Sequence, residues 1–124
     1  MTQEEKDLLI KDISARLPYG VKVLYDNQIF EVQYIEPMYE EIKLLDNENY
    51  TVPIDEVKPY LFPLSSMTKK QKREYANLLV YTSSVEMIHI GGESIYDFYN
   101  KYHLDYRGLI PMGLAIDATN KNIY

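Results

Sequence analysis

A general base that titrates near neutrality must be sought among two histidines, His89 and His103, since the chain has no cysteine and other ordinary side chains titrate far from pH 7. His103 has Asp105 and Arg107 close by in sequence and Asp97 six residues before it. Such a grouping can orient an imidazole for proton transfer, and it defines a small hydrolase or nuclease centred on His103. The plainer alternative is a histidine at a helix C-terminus, held by the last carbonyls. His89 lies between Ile88 and Ile90, as half-buried histidines with one hydrogen bond do. Carboxylate pairs such as Glu40-Glu41 and Asp55-Glu56 fit solvated turns better than a cation site, because adjacent residues of a strand point to opposite faces. The sequence has no Gly-rich phosphate loop, His-Glu-x-x-His helix, Gly-x-Ser-x-Gly elbow or zinc-ligand spacing, so no metal, no cofactor and no catalytic residue is assigned.

Recognition chemistry is better represented than catalysis. Between Glu31 and Glu56 stand eight acids, among them Glu36, Glu40 and Glu41, against the single base Lys43, a local charge of −7. An acidic surface of this kind can dock on a basic partner or imitate a nucleic-acid backbone; solvated loops are the bland alternative. Lys69, Lys70, Lys72 and Arg73 open a helix, where positive charge opposes the helix dipole. An external anion such as phosphate would offset that cost, and so would simple solvation. Tyr96, Tyr99, Tyr102 and Tyr106 are spaced three, three and four apart, so on a continuing helix they share a side with Phe98 and Arg107. Such a stripe serves either as a contact surface or as core packing.

The elements that hold these residues follow from period and punctuation. With 124 residues, 46% hydrophobic and 26% charged, net charge −6 and 13 tyrosines, the chain suits one domain, 1–124, with one core. No apolar run approaches the length of a membrane span, and the acidic start is unlike a signal peptide, so a cytoplasmic setting without membrane contact is expected. Thr2 and Glu5 form a capping box, and Leu9, Ile13 and Leu17 with Ile10 form a stripe, which predicts a helix over 3–17 ended by Pro18 and Gly20. From Val21 the period becomes two. Val21 to Tyr25, a turn at Asp26-Asn27 and Ile29 to Ile35 predict a hairpin with Phe30, Val32 and Tyr34 on one face. Strands over 41–45 and 50–54 extend it into an antiparallel meander of four or five strands, for which a small SH3-like barrel is one closed form. The prolines of Val57–Leu64 point to an extended crossover. A second capping box, Thr68 and Gln71, starts a helix reaching at least Tyr81, and the stretch 80–90 fits neither helix nor strand well. Ser94 caps a third helix to about His103, after which a turn-rich tail packs Leu109, Ile110, Leu114 and Ile116 on the core. The fold class is α+β.

Two segments carry a resemblance: Val57-Lys-Pro-Tyr-Leu-Phe-Pro-Leu-Ser-Ser-Met-Thr68, and His103-Leu-Asp-Tyr-Arg-Gly-Leu-Ile110 with Gly113-Leu-Ala-Ile116. Together with Arg16-Leu-Pro-Tyr-Gly-Val-Lys22 they resemble small uncharacterised proteins of Bacteroides-type bacteria, their phages and mobile elements. The resemblance implies a bacterial or phage cytoplasmic setting; the family has no established activity, and no site residues carry over from it. Members of that family tend to be acidic after Ser-Ser-Met-Thr, where this chain has Lys69, Lys70, Lys72 and Arg73. The functional expectation is a non-enzymatic accessory protein that binds a host or phage macromolecule, with a protein as partner, through its acidic sheet or tyrosine stripe. The alternative is a nucleic-acid-binding module that uses the basic turn and the tyrosines.

Overall fold

The computed structural model describes residues 1–82 and 94–124. The first helix, α1 (Gln3–Arg16), starts at the expected capping box: Thr2 Oγ1 accepts from the Glu5 N–H at 3.1 Å, and Glu5 accepts in return from the Thr2 N–H at 2.8 Å. The Thr2 N–H, then the Thr2 hydroxyl, hold the Glu5 carboxyl below its usual range, and the box satisfies two donors that a helix start leaves open. Leu9 and Ile13 are fully buried on its inner face, each worth about 1.5–3 kcal/mol of transfer free energy. A single 3-10 turn, Leu17–Tyr19, ends the helix, and Gly20 reverses the chain at φ 68°.

Six strands then make one sheet among the described residues: β1 (Lys22–Tyr25), β2 (Gln28–Glu36), β3 (Glu41–Leu44), β4 (Val52–Pro53), β5 (Lys58–Leu61) and β6 (Ile116–Asp117), in the order β4-β3-β2-β1-β5-β6. The β1–β2 hairpin is the one the sequence predicts. Tyr25 pairs with Gln28, and Asp26 and Asn27 both adopt positive φ, 49° and 60°, the geometry whose twist matches the flanking strands. Asparagine tolerates this region and a β-branched residue does not. Asn27→Val is therefore expected to cost about 1–3 kcal/mol in denaturant unfolding, whereas Asn27→Gly should leave stability within about 0.5 kcal/mol of the parent.

Three expectations need correction. First, Tyr34 does not share a face with Val32: the register shifts between them, where Val32 pairs with Leu44 and Tyr34 with Lys43. The extra residue turns Tyr34 outward and sets Ile35 against the core, as a bulge does. Second, 57–64 is not a crossover. Lys58–Leu61 is a strand, extended as the prolines suggest, that pairs with β1 at Lys58 and Pro59 and with β6 at Tyr60 and Leu61. Third, the sheet is mixed rather than antiparallel, because β6 from the tail joins β5 in parallel. No pairing joins the ends β4 and β6 among the described residues, and the SH3-like barrel is not confirmed.

The main core lies between α1 and one face of the sheet, with Val23, Val32, Ile42, Leu44, Ile54 and Leu61 meeting Leu9 and Ile13. The tail closes it with Leu109 and Leu114, while Ile110 packs at its margin. A smaller cluster, Tyr60, Ala118 and Ile123 with Leu24, Phe62 and Ile116, fills a second site. Beyond the sheet, α2 (Lys69–Thr82) and α3 (Ile95–Lys101) pack together. Both begin with capping boxes, Thr68 with Gln71 and Ser94 with Asp97. His89 and the greater part of the stretch 80–90 lie outside the described residues. No helix among the described residues is long and apolar enough to cross a membrane.

Candidate functional site

The predicted hydrolase grouping does not assemble. The third helix ends at Lys101, and His103 follows it with φ 55°. The imidazole is 5% exposed and lies flat on the Tyr124 ring, with centroids 3.8 Å apart and planes at 11°. Burial, then the Arg16 and Lys22 charges, push its pKa down from 6.5 to about 4, against a backbone hydrogen bond at Tyr19 that raises it. Asp105 is no partner for it, because its two carboxylate oxygens accept from the Leu109 N–H at 2.8 Å and the Ile110 N–H at 2.9 Å. Asp97 is spent on the Ser94 cap. These residues build the tail and leave no acid–base pair.

The histidine makes a pH prediction. Its folded pKa lies below the unfolded value, so between about pH 6.5 and pH 4 the unfolded chain binds the proton more readily. Stability is complete above pH 6.5 and falls as the pH drops through this window, by up to about 3 kcal/mol. His103→Asn keeps a side chain that tolerates positive φ. Urea unfolding of this variant at pH 7 and pH 4.5 should show a smaller loss on acidification than the parent; an equal loss would contradict the assignment.

The tyrosine stripe is a cluster, but not the continuous helical one predicted. Tyr96, Tyr99 and Tyr102 occupy α3 or its cap, and Tyr106 folds back from the tail to stack on Tyr99 at 4.9 Å and 18°. Tyr75 of α2 meets Phe98 at 6.1 Å and Tyr99 at 6.2 Å, a participant that the stripe's spacing did not reveal. Burial, a hydrogen bond to Tyr75 and the neighbouring phenols raise the Tyr99 pKa to about 12. Tyr102 donates to Glu74 at 2.8 Å. Only Tyr96, 60% exposed, offers a large free face among the four. Tyr99, Tyr102 and Tyr106 are half-buried, and none of the four belongs to either hydrophobic core cluster.

Beneath the cluster sits a buried charge network. Arg16 and Asp12 are fully buried, joined at 2.9 Å and 3.0 Å, and Arg16 also donates to the Leu104 carbonyl at 2.7 Å. Arg107 reaches the same carboxylate at 3.2 Å and donates to the Tyr106 hydroxyl at 2.6 Å, its guanidinium lying 4.7 Å from that ring. The i,i+4 spacing of Asp12 and Arg16 was the available signal.

The acidic candidates divide. Glu40 turns toward α1, with Lys6 at 3.6 Å and Gln3 at 3.3 Å. Glu36 and Glu41 instead line one open cleft of about 320 Å³ with Tyr39, Tyr50 and Thr51. Thr51 donates to Glu41 at 2.9 Å, which fixes that carboxylate at the rim. Tyr39 and Tyr50 are 69% and 79% exposed and Met38 86%. The Tyr34 phenol is raised above its ordinary range by desolvation, by a hydrogen bond to Tyr50 and by the Tyr50 and Glu36 charges, which sets it beside this rim. The bulge at β2 thus supplies Tyr34 and Glu36, the turn after it Met38 and Tyr39, and the approach to β4 Tyr50 and Thr51.

Lys69, Lys70, Lys72 and Arg73 are exposed at the start of α2. Tyr75 and Glu74, not these four, are what α2 sends to the tyrosine cluster, so the two halves of the nucleic-acid alternative are not brought into contact. Among the described residues, no three His, Asp or Glu side chains converge on a possible metal position. Compared with protein-family models, with curated proteins and with solved structures, the chain matches none.

Proposed function

We propose that this protein is a non-enzymatic interaction module that docks a basic segment of a partner protein on the acidic, aromatic end of its sheet. The observation that supports it is the convergence of Glu36 and Glu41 with exposed Tyr39 and Tyr50 around one cleft, beside Met38. Ammonium and guanidinium groups are attracted by carboxylates and by aromatic faces together, and tyrosine and methionine are common anchors of contact surfaces. The surrounding −7 of charge would speed the encounter with a basic partner. A phage or mobile-element accessory role rests on the resemblance of the Val57–Thr68 and His103–Ile116 segments. NMR titration with a lysine- and arginine-rich peptide of about a dozen residues tests the surface: shifts should concentrate at 34–42 and 50–53. Shifts confined to α2 and α3 would sink it.

The second reading, nucleic-acid binding through Lys69, Lys70, Lys72 and Arg73, draws on their shared exposure at the start of α2. On that reading, affinity for short DNA falls steeply with salt and disappears on charge reversal at Lys70 and Arg73.

A further inference from the structure

Glu36 and Glu41 are direct partners in the β2–β3 register, and both line the acidic cleft. Like charges placed opposite one another across two strands repel and destabilise the pairing. Among the described residues no cation relieves this, because neither glutamate forms an ion pair. Lys43, the single base of the stretch 31–56, donates its ammonium to the Asn47 and Asn49 carbonyls at 2.9 Å and 2.8 Å. Lys6 lies with Glu40 and Asp55, at 3.6 Å and 4.0 Å. Thr51 engages Oε1 of Glu41 alone, so Oε2 and the whole Glu36 carboxylate keep acceptor capacity for a ligand. Both carboxylates are half-buried, and the exposed Tyr39 and Tyr50 rings stand in the same wall.

We infer, on the reading that this end docks a basic partner, that the cleft takes one arginine side chain of that partner in preference to lysine, its guanidinium bonded to Glu36 and Glu41 together and packed against the Tyr39 and Tyr50 rings. A guanidinium is a planar fork of five N–H donors, which can serve two carboxylates at once, and its face stacks on aromatic rings. Lysine brings one compact, strongly hydrated ammonium, which answers the charge but not the paired acceptors or the rings. A metal ion would draw on the same carboxylates, but among the described residues no third acid or histidine joins them, and aromatic walls suit an organic cation. At about 320 Å³ the cleft is at the lower end of ligand-pocket volumes, which fits one side chain.

Isothermal titration of the full chain with three peptides of equal charge and about a dozen residues tests the inference. They are identical except that the basic positions carry arginine, lysine or symmetric dimethylarginine, which keeps the charge and blocks the double hydrogen bond. The arginine peptide should bind at least about tenfold more tightly than either of the others. Glu36→Gln, which keeps the size of the side chain and removes one of the facing charges, should bring the arginine peptide to within about twofold of the lysine peptide; an unchanged melting curve verifies that this variant folds. An arginine peptide that binds the parent no more than about twofold tighter than the lysine or the dimethylarginine peptide, or a preference that survives in Glu36→Gln, overturns the arginine assignment and leaves the docking surface standing. Absence of binding by all three peptides overturns both.

Discussion

Replacing Asp12 with alanine is expected to lower the unfolding free energy by about 3–5 kcal/mol, a larger loss than any other single side chain described here should give. Asp12 and Arg16 are both inaccessible to solvent, and the carboxylate holds Arg16 at two nitrogens and Arg107 at a third. Without it, the Arg16 guanidinium remains buried beside the Leu104 carbonyl with no counter-charge. Breaking one partner of such a network costs far more than replacing both, because the survivor cannot recover its hydration. The melting temperature should fall on the order of 10–20 °C. Asp12→Leu combined with Arg16→Met, which removes both charges, should recover much of the loss. Chemical unfolding of the two variants against the parent measures both effects. A loss below about 1 kcal/mol for Asp12→Ala would mean that the network is solvated and does not tie α1 to the end of α3.

What could be read in advance follows from the range over which each signal acts. The capping boxes at Thr2 and Thr68 and the cap at Ser94 are patterns within four residues, and all three form. The Asp26-Asn27 turn is equally local and sets the β1–β2 register. The α+β class rests on such local patterns and stands. Long-range pairing was harder to see. The prolines of 57–64 point to an extended crossover, yet Lys58–Leu61 is a strand, paired with the second edge of β1 on one side and with the tail's Ile116 and Asp117 on the other. A two-residue strand such as β6 leaves almost no periodic trace. At the site, the same limit applies. The charge run over 31–56 was legible, but its division was not: a bulge after Val32 decides that Tyr34 faces out, and a turn at Glu40, φ 53°, sends that carboxylate to α1 while Glu36 and Glu41 stay together. Tyr39 and Tyr50 lie eleven residues apart and meet only through the β2–β3–β4 pairing. The tyrosine spacing suggested one helix face, whereas α3 stops at Lys101 and Tyr106 returns by stacking.

Reversing the charge at the acidic cleft should have the second large effect, this time on binding. Glu36→Lys with Glu41→Lys changes two carboxylates on the cleft wall into ammonium groups and takes the local charge over 31–56 from −7 to −3. Like-charge contact with a basic peptide costs several kcal/mol, so affinity should fall about 100-fold or more. Tyr50→Ala removes an exposed ring without altering charge and should cost about tenfold if the ring is an anchor. Neither change touches the buried core, and melting curves should stay within a few degrees of the parent.

The most direct test is therefore a titration of the parent protein and the Glu36→Lys, Glu41→Lys variant with one lysine- and arginine-rich peptide, at low and at physiological salt. Saturable binding to the parent, weakened by salt and lost in the variant, is the expected result. Undetectable binding to the parent at low salt, or equal binding to both proteins, would contradict the assignment of the acidic, aromatic end as the docking surface.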